Sequence, residues 1–113
     1  MNNFIGEFER YAADTYDELY HLLMSKHQDY GPKNISLSPG GPINGLRVRM
    51  HDKLARINNL VDTQAVPSHE SLEDSFKDMA NYAIIGLLVL RGQWDKGKDV
   101  LLEEAKKIWS KSE

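Results

Sequence analysis

Acidic side chains recur at helical spacing in the second half of the chain. Glu70, Asp74 and Asp78 are four residues apart, and Asn81 follows three residues after Asp78. Side chains at these spacings lie along one face of an α-helix. Carboxylate oxygens are the preferred ligands of Mg²⁺, which also bridges to substrate phosphates. The pattern predicts a metal site. The alternatives are a solvated acidic face and a set of structural salt bridges.

A basic segment precedes these carboxylates. Four positive charges fall within ten residues, at Arg47, Arg49, Lys53 and Arg56. Such groups bind phosphate, and the planar guanidinium of arginine matches its geometry particularly well. The segment therefore predicts a phosphate-binding face, with an intrahelical ion-pair face as the alternative.

One carboxylate lies among these basic residues. Asp52 is one helical turn before Arg56. If the helices that carry Asp52 and Asp78 pack antiparallel, Asp52 faces Asp74 and Asp78 across a cleft. Three carboxylates beside basic side chains would then form a metal–phosphate site.

A polar segment upstream offers further ligand contacts. Tyr30 can stack on a nucleobase, and Lys33, next to Asn34, can reach a phosphate. An ordinary polar turn between helices is the alternative interpretation.

Helices must position all of these groups. The segment 29–44 reads as a loop, because it holds three of the four prolines and three of the eight glycines. Apolar residues recur at helical spacing on either side of it. The predicted helices span about residues 3–27, 45–61, 68–91 and 95–111. Ser68 or Ser71 caps the third, whose second half is apolar on almost every face and should be buried. We expect one all-α, four-helix bundle-like domain over residues 1–113, with a C-terminal helix within 95–113.

Composition narrows the functional classes. The chain has 113 residues and a net charge of −3, which disfavours binding to duplex nucleic acid. It has no cysteine, so disulfides, zinc–thiolate sites and thiol catalysis are excluded. No secretory signal and no membrane-spanning run is recognisable, which predicts a cytoplasmic protein. A chain this short buries a modest core, so we expect a homodimer or higher homo-oligomer to complete it.

Three segments together resemble a known family, the phage and bacterial "nucleotide modification associated domain" proteins. The segments are Lys26-x2-Asp29-Tyr30-Gly31-x2-Asn34, Gly45-Leu46-x-Val48-Arg49-x2-Asp52-Lys53-x2-Arg56-x2-Asn59-Leu60 and Glu70-Ser71-x-Glu73-Asp74-x3-Asp78-x-Ala80-Asn81-Tyr82-Ala83. They occur in this order over about residues 23–90.

That family is in turn similar to the all-α, MazG-like nucleoside triphosphate pyrophosphatases. The resemblance implies Mg²⁺-dependent hydrolysis of a (d)NTP to a monophosphate and pyrophosphate, in the cytoplasm of a bacterium or of a phage-infected host. This chain departs from the MazG pattern, because one acidic pair is missing and Asp74-x3-Asp78 has a spacing of four instead of three. Fewer carboxylates imply fewer bound metals.

Three hypotheses follow. In the first, the protein is a nucleotide pyrophosphohydrolase with Asp52, Asp74 and Asp78 as catalytic residues. These three and Glu70 are then the Mg²⁺ ligands. The predicted substrate-binding residues are Tyr30, Lys33, Asn34, Arg49, Lys53, Arg56, Asn81 and Tyr82. In the second, the protein binds or sequesters a nucleotide without catalysis. In the third, it is a helical assembly protein whose polar cluster only sets subunit register.

Overall fold

The computed structural model describes residues 6–95, which form four α-helices and no strand. The helices are α1 (Glu7–Tyr30), α2 (Lys33–Ser36), α3 (Pro42–Thr63) and α4 (Leu72–Leu90). The predicted all-α fold is therefore confirmed. The one-turn helix α2 lies inside the segment predicted as a loop, whereas the predicted helix 95–111 lies, apart from its first residue, outside the described residues.

Glycine and proline set the boundaries of the first three helices. Gly31 ends α1 with a φ of +67° and donates its N–H to the carbonyl of His27 over 2.8 Å. Gly41, with a φ of +94°, turns the chain into α3, whose first residue is Pro42. Proline suits this position because its ring fixes a helical φ and the first N–H of a helix has no partner. These breakers occur where the sequence predicts them, although α1 and α3 extend about one turn further into the predicted loop.

A reciprocal cap begins α4. The Ser71 hydroxyl accepts the N–H of Asp74 over 3.0 Å, and the Asp74 carboxylate accepts the N–H of Ser71 over 3.1 Å. This capping box satisfies two N–H groups that the helix itself leaves without acceptors. Of the two serines proposed as caps, Ser71 is the one used.

The helices α3 and α4 pack antiparallel. Arg56, near the end of α3, reaches Ser75 in the first turn of α4, whereas Leu46, near the start of α3, packs with Ile85. Leu23 of α1 and Ile35 of α2 join Leu46 and Ile85 in one buried cluster. The short helix α2 thus closes one end of the core, and this places the upstream polar segment against α3 and α4.

Apolar side chains remain exposed on the three long helices, including Val48 and Leu54 on α3. On α1, Phe8 and Tyr11 are exposed, and Leu23 is the buried residue of this helix. On α4, Leu87 and Leu90 are exposed as well. The prediction that the second half of this helix is buried is therefore wrong for the described residues, because α1 and α3 cover only part of its surface.

A helix long and apolar enough to cross a membrane does not occur among the described residues.

Candidate functional site

A buried carboxylate at the centre of α4 binds two lysines. Asp78 is 8% exposed. Its Oδ1 accepts a hydrogen bond from Lys26 Nζ of α1 over 2.7 Å, and its Oδ2 lies 3.0 Å from Lys53 Nζ of α3. The ion pairs compensate the carboxylate for its lost hydration. Asp78 therefore holds three helices together.

The same network continues along α3. Lys53 Nζ donates to both carboxylate oxygens of Glu70, over 2.8 and 2.9 Å. Arg56 donates to the buried Ser75 hydroxyl over 2.8 Å and to the Glu70 backbone carbonyl. The five charged side chains carry three positive and two negative charges, because Lys26, Lys53 and Arg56 face Asp78 and Glu70. The network thus has a surplus positive charge.

The ion pairs shift the pKa values of the groups at the centre. Burial tends to raise the pKa of Asp78, but its hydrogen bonds from Lys26 and Lys53 outweigh burial and lower the pKa below the usual value. Burial tends to lower the pKa of Lys26, yet the hydrogen bond to Asp78 and its charge raise it. Lys53 behaves in the same way through its hydrogen bonds to Glu70 and Asp78. All of these groups are charged at neutral pH.

The four carboxylates predicted to bind Mg²⁺ do not form one cluster, although Glu70 and Asp78 meet at Lys53 Nζ. Asp78 and Glu70 are neutralised by lysine and arginine, and Asp74 caps the helix. The Asp52 side chain is exposed and forms no ion pair or hydrogen bond with residues 6–95. Within this described range, no group of three histidine, aspartate or glutamate side chains is placed to hold a metal ion. As it stands among the described residues, this donor set does not fit Mg²⁺.

An aromatic cleft of about 350 Å³ opens beside the network, between α1, α2 and α4. Its apolar part includes the core residues Leu23, Ile35 and Ile85, and its walls include aromatic rings. These rings belong to His27, Tyr30, Tyr82 and Trp94. The rings of His27 and Trp94 are in contact, with centroids 4.7 Å apart, and Trp94 Nε1 donates to the carbonyl of Pro32 over 3.1 Å. The volume falls within the range of small-molecule pockets.

Polar side chains line the same cleft. Lys26, Asn34, Arg49 and Asn81 contribute to its wall. Asn81 is buried, and its side-chain amide donates to the carbonyl of Leu19 over 3.2 Å. The cleft therefore combines stacking surfaces with cationic and amide donors.

Arg49 differs from the other cations of the site in its partners. Its Nη1 donates to the Ser38 hydroxyl over 3.3 Å and its Nη2 to the Asn34 carbonyl over 3.2 Å, and both acceptors are neutral. No carboxylate of residues 6–95 forms an ion pair with it, although the side chain is half-buried. Its charge is thus available to an anion in the cleft.

Comparison with protein families agrees with the pattern of the three segments. Residues 26–90 match the model of the family described as "Nucleotide modification associated domain 1", which is more than half of the chain. The chain belongs to this family. The matched region begins at Lys26 and contains every member of the ion-pair network. No curated protein and no solved structure matches the chain. The likeness to MazG-like pyrophosphatases therefore stays a prediction.

In this nucleotide modification associated domain, the predicted substrate-binding residues separate into three groups. Five line the aromatic cleft, namely Tyr30, Asn34, Arg49, Asn81 and Tyr82. Lys53 and Arg56 are engaged in the ion-pair network, and Lys33 lines a neighbouring groove.

Sequence reasoning missed three residues of the site. Lys26, His27 and Trp94 line the cleft but were not predicted as ligand-binding residues. A signal existed for Lys26, which is the first residue of the family motif. Trp94 carries no such signal, because only the turn at Gly92, with its φ of +67°, brings it back over the core.

Gly45 packs so closely against Ser38 and Arg49 that it leaves no space for a larger side chain. A Cβ built at Gly45 would lie 2.3 Å from Ser38 Oγ and 3.2 Å from Arg49 Nη1, whereas at Gly86 the nearest heavy atom, in Leu46, is 3.8 Å away. Both glycines are helical, and alanine gains about 1 kcal/mol of helix propensity. We expect Gly86→Ala to stabilise the protein by up to that amount. Gly45→Ala should destabilise it, because overpacking typically costs about 1–3 kcal/mol.

Urea denaturation of both variants and of Gly45→Ala/Ser38→Gly measures this difference. The second substitution removes the clashing side chain and should restore most of the lost stability. Equal stabilisation by both alanines would contradict the close contact at Gly45.

Proposed function

We propose that the protein binds a nucleotide in the aromatic cleft, with the phosphate held by Arg49. The observation that carries this proposal is the half-buried guanidinium whose partners within residues 6–95 are all neutral. Burying a cation without a counter-ion is costly. A phosphate that accepts two parallel N–H bonds from the guanidinium removes that cost and provides specific recognition.

The aromatic side chains of the cleft provide surfaces on which a nucleobase can stack. Tyr30, Tyr82 and Trp94 belong to different segments of the chain and line the same cleft. Stacking of a base on an aromatic side chain contributes about 1–3 kcal/mol. Asn34 and Asn81 also line the cleft, and their amide side chains provide both donors and acceptors for the polar edges of the ligand.

Lys26 is suited to be a second phosphate ligand. Its side chain is about half exposed, lines the cleft and donates to Asp78. When Lys26 turns toward a phosphate, Asp78 keeps its ion pair with Lys53. The surplus positive charge of the network therefore permits this movement without leaving a buried carboxylate unpaired.

This arrangement favours a nucleotide-binding module in bacterial or phage nucleotide metabolism, acting in the cytoplasm. The pyrophosphohydrolase activity predicted from the family likeness needs acidic metal ligands, and the described carboxylates are occupied by cations or lie apart. Binding requires only the cleft and its cations. Of the three hypotheses from the sequence, the second has the most support.

Titration of the full chain with nucleosides, nucleoside monophosphates and triphosphates tests the proposal. Binding is followed by calorimetry and by quenching of Trp94 fluorescence, with Trp94→Phe to assign the signal. The titrations are done in EDTA and in Mg²⁺, and pyrophosphate release is assayed in parallel. We expect nucleotides to bind in EDTA more tightly than their nucleosides, without pyrophosphate release. At a hundred times its dissociation constant, the ligand should add about 2.7 kcal/mol to the unfolding free energy.

Two outcomes would refute the proposal. If no nucleotide binds under either condition, the cleft is not a nucleotide site. If binding needs Mg²⁺ and pyrophosphate is released, the protein is the predicted hydrolase.

We also propose that a second copy of the chain covers the exposed face of α4. Phe76, Ile84, Leu87 and Leu90 are 56%, 38%, 45% and 74% exposed, and their spacing places them along one side of the helix. A two-fold axis brings the same stripe of another copy against it, which makes the contact self-complementary.

Sedimentation velocity tests this assembly. Leu87→Glu places a charge in the middle of the stripe and should convert dimers to monomers. Val66→Glu is the matched control, because Val66 is 92% exposed on the α3–α4 connection, away from this face. A wild-type monomer at all concentrations, or a dimer that survives Leu87→Glu, would rule out the contact.

A further inference from the structure

A second groove adjoins the aromatic cleft. It has a volume of about 540 Å³ and lies between α2 and the start of α3. Lys33, Leu37, Ser38, Asn44 and Val48 are among its lining residues. The proposed base site and phosphate ligand leave this groove unused.

The two cavities share a wall. Asn34 and Arg49 line both of them. The Arg49 guanidinium donates to Ser38 on the groove side and to the Asn34 carbonyl. A phosphate bound to this guanidinium therefore lies at the junction of two cavities, each large enough for an organic group.

We infer that the ligand is a nucleotide whose phosphate is esterified on both sides, with its second organic group in the groove. This inference rests on the proposed function. The first nucleoside occupies the aromatic cleft, the bridging phosphate lies at Arg49, and a second ring with polar edges fills the groove. Binding is non-covalent and involves no bond cleavage.

The chemistry of the groove favours a ring over a polyphosphate tail. Leu37 and Val48 present apolar surface, and both are largely exposed. Ser38 and Asn44 add neutral hydrogen-bonding groups. The Ser38 hydroxyl already donates to the Asn34 carbonyl and the Asn44 amide to the Pro39 carbonyl, which leaves the Asn44 side-chain oxygen and its second N–H for a ligand. The cationic side chains of the groove are Lys33 and the shared Arg49, and the rest of its lining is apolar or neutral, so the several negative charges of a polyphosphate would also meet uncharged surface. A sugar or base instead buries the apolar surface and uses the neutral donors and acceptors.

Ligands of equal charge isolate the contribution of the groove. The probes are a dinucleoside monophosphate and a nucleoside 5′-phosphate methyl ester, each with a single negative charge. The dinucleoside monophosphate should bind about tenfold more tightly than the methyl ester. This factor is smaller than the gain that a second linked binding group can give. Val48→Trp fills the groove and should abolish the difference, while the affinity for the methyl ester changes less than about twofold. Leu54→Trp, another exposed apolar position on α3 that does not line either cavity, is the control and should retain the difference.

The outcomes separate this inference from the function on which it rests. Equal affinity for the two esters, or a difference that survives Val48→Trp, would overturn the inference and leave nucleotide binding intact. A nucleoside triphosphate with the same Val48-dependent gain would also overturn it, because the groove would then take a polyphosphate. If neither the esters nor the free monophosphate bind, the proposed function itself fails.

Discussion

Replacing Arg49 with glutamine should weaken nucleotide binding by about 10- to 100-fold. A hydrogen bond to a charged group contributes about 1.5–3 kcal/mol, and 1.4 kcal/mol corresponds to a tenfold change in affinity. The loss should be confined to phosphorylated ligands, because the guanidinium meets the phosphate and not the base. Calorimetric titration of wild type and variant with a nucleoside and its monophosphate measures both effects. Arg49→Lys should fall in between, since it keeps the charge but loses the planar fork.

Arg47→Gln is the matched control for this substitution. Arg47 is exposed on the same helix and lines neither cavity, so the variant has the same net charge without a changed site. Its affinity should stay within about twofold of wild type. If both variants lose affinity equally, general electrostatic attraction accounts for binding and Arg49 has no special role. If the nucleoside loses as much as the nucleotide, Arg49 does not hold the phosphate.

Replacing Asp78 with asparagine should lower the unfolding free energy by about 3 kcal/mol. Removing one partner of a buried ion pair typically costs 3–5 kcal/mol, because the remaining charge is left uncompensated. The lower end applies here, since Lys53 keeps Glu70 and Lys26 can reach water. Chemical denaturation followed by circular dichroism measures the change.

Asp52→Asn is the control for Asp78→Asn. Asp52→Asn is the same chemical substitution at another residue of the predicted metal site. The Asp52 carboxylate is exposed and has no partner among residues 6–95. Such changes are usually within about 0.5 kcal/mol. An Asp78→Asn protein that is as stable as wild type but has lost an activity would instead make Asp78 a catalytic residue.

The dependence of stability on pH offers a second measurement of the same network. The folded pKa of Asp78 is lowered below 3.8, so its contribution is present above the unfolded pKa and is lost as the pH falls through the folded value. The pKa values of Lys26 and Lys53 are raised above 10.5, so their contribution is present below that pH and is lost as the pH rises through the folded values. Wild type should therefore lose stability below about pH 4 and above about pH 10.5. In Asp78→Asn, the free energy of unfolding should fall less steeply at low and at high pH than in Asp52→Asn. If the two variants give parallel curves of unfolding free energy against pH, Asp78 is not the cause of these losses.

Local features of this protein were determined by the sequence alone. Helical periodicity and the breakers around Gly31 and Pro42 predict the three long helices α1, α3 and α4 to within about one turn, because both act between residues close in the chain, whereas the one-turn helix α2 was not predicted. The capping box of Ser71 and Asp74 is local in the same sense. The three family segments identify the family, and five of the eight predicted ligand-binding residues line one cleft.

Only the tertiary structure decided which charges pair and where a ligand fits. Asp78 binds Lys26, which is 52 residues away, and this contact depends on how α1 crosses α4. A helical pattern shows that Glu70, Asp74 and Asp78 share a face, but not that two are neutralised by lysine and arginine while the third caps the helix. Trp94 and Arg49 likewise line one cleft because each contacts the region of α2, Trp94 at the Pro32 carbonyl and Arg49 at the Asn34 carbonyl. Spacing along a chain determines the face of a helix, whereas the partner opposite that face is chosen by the packing of the whole core.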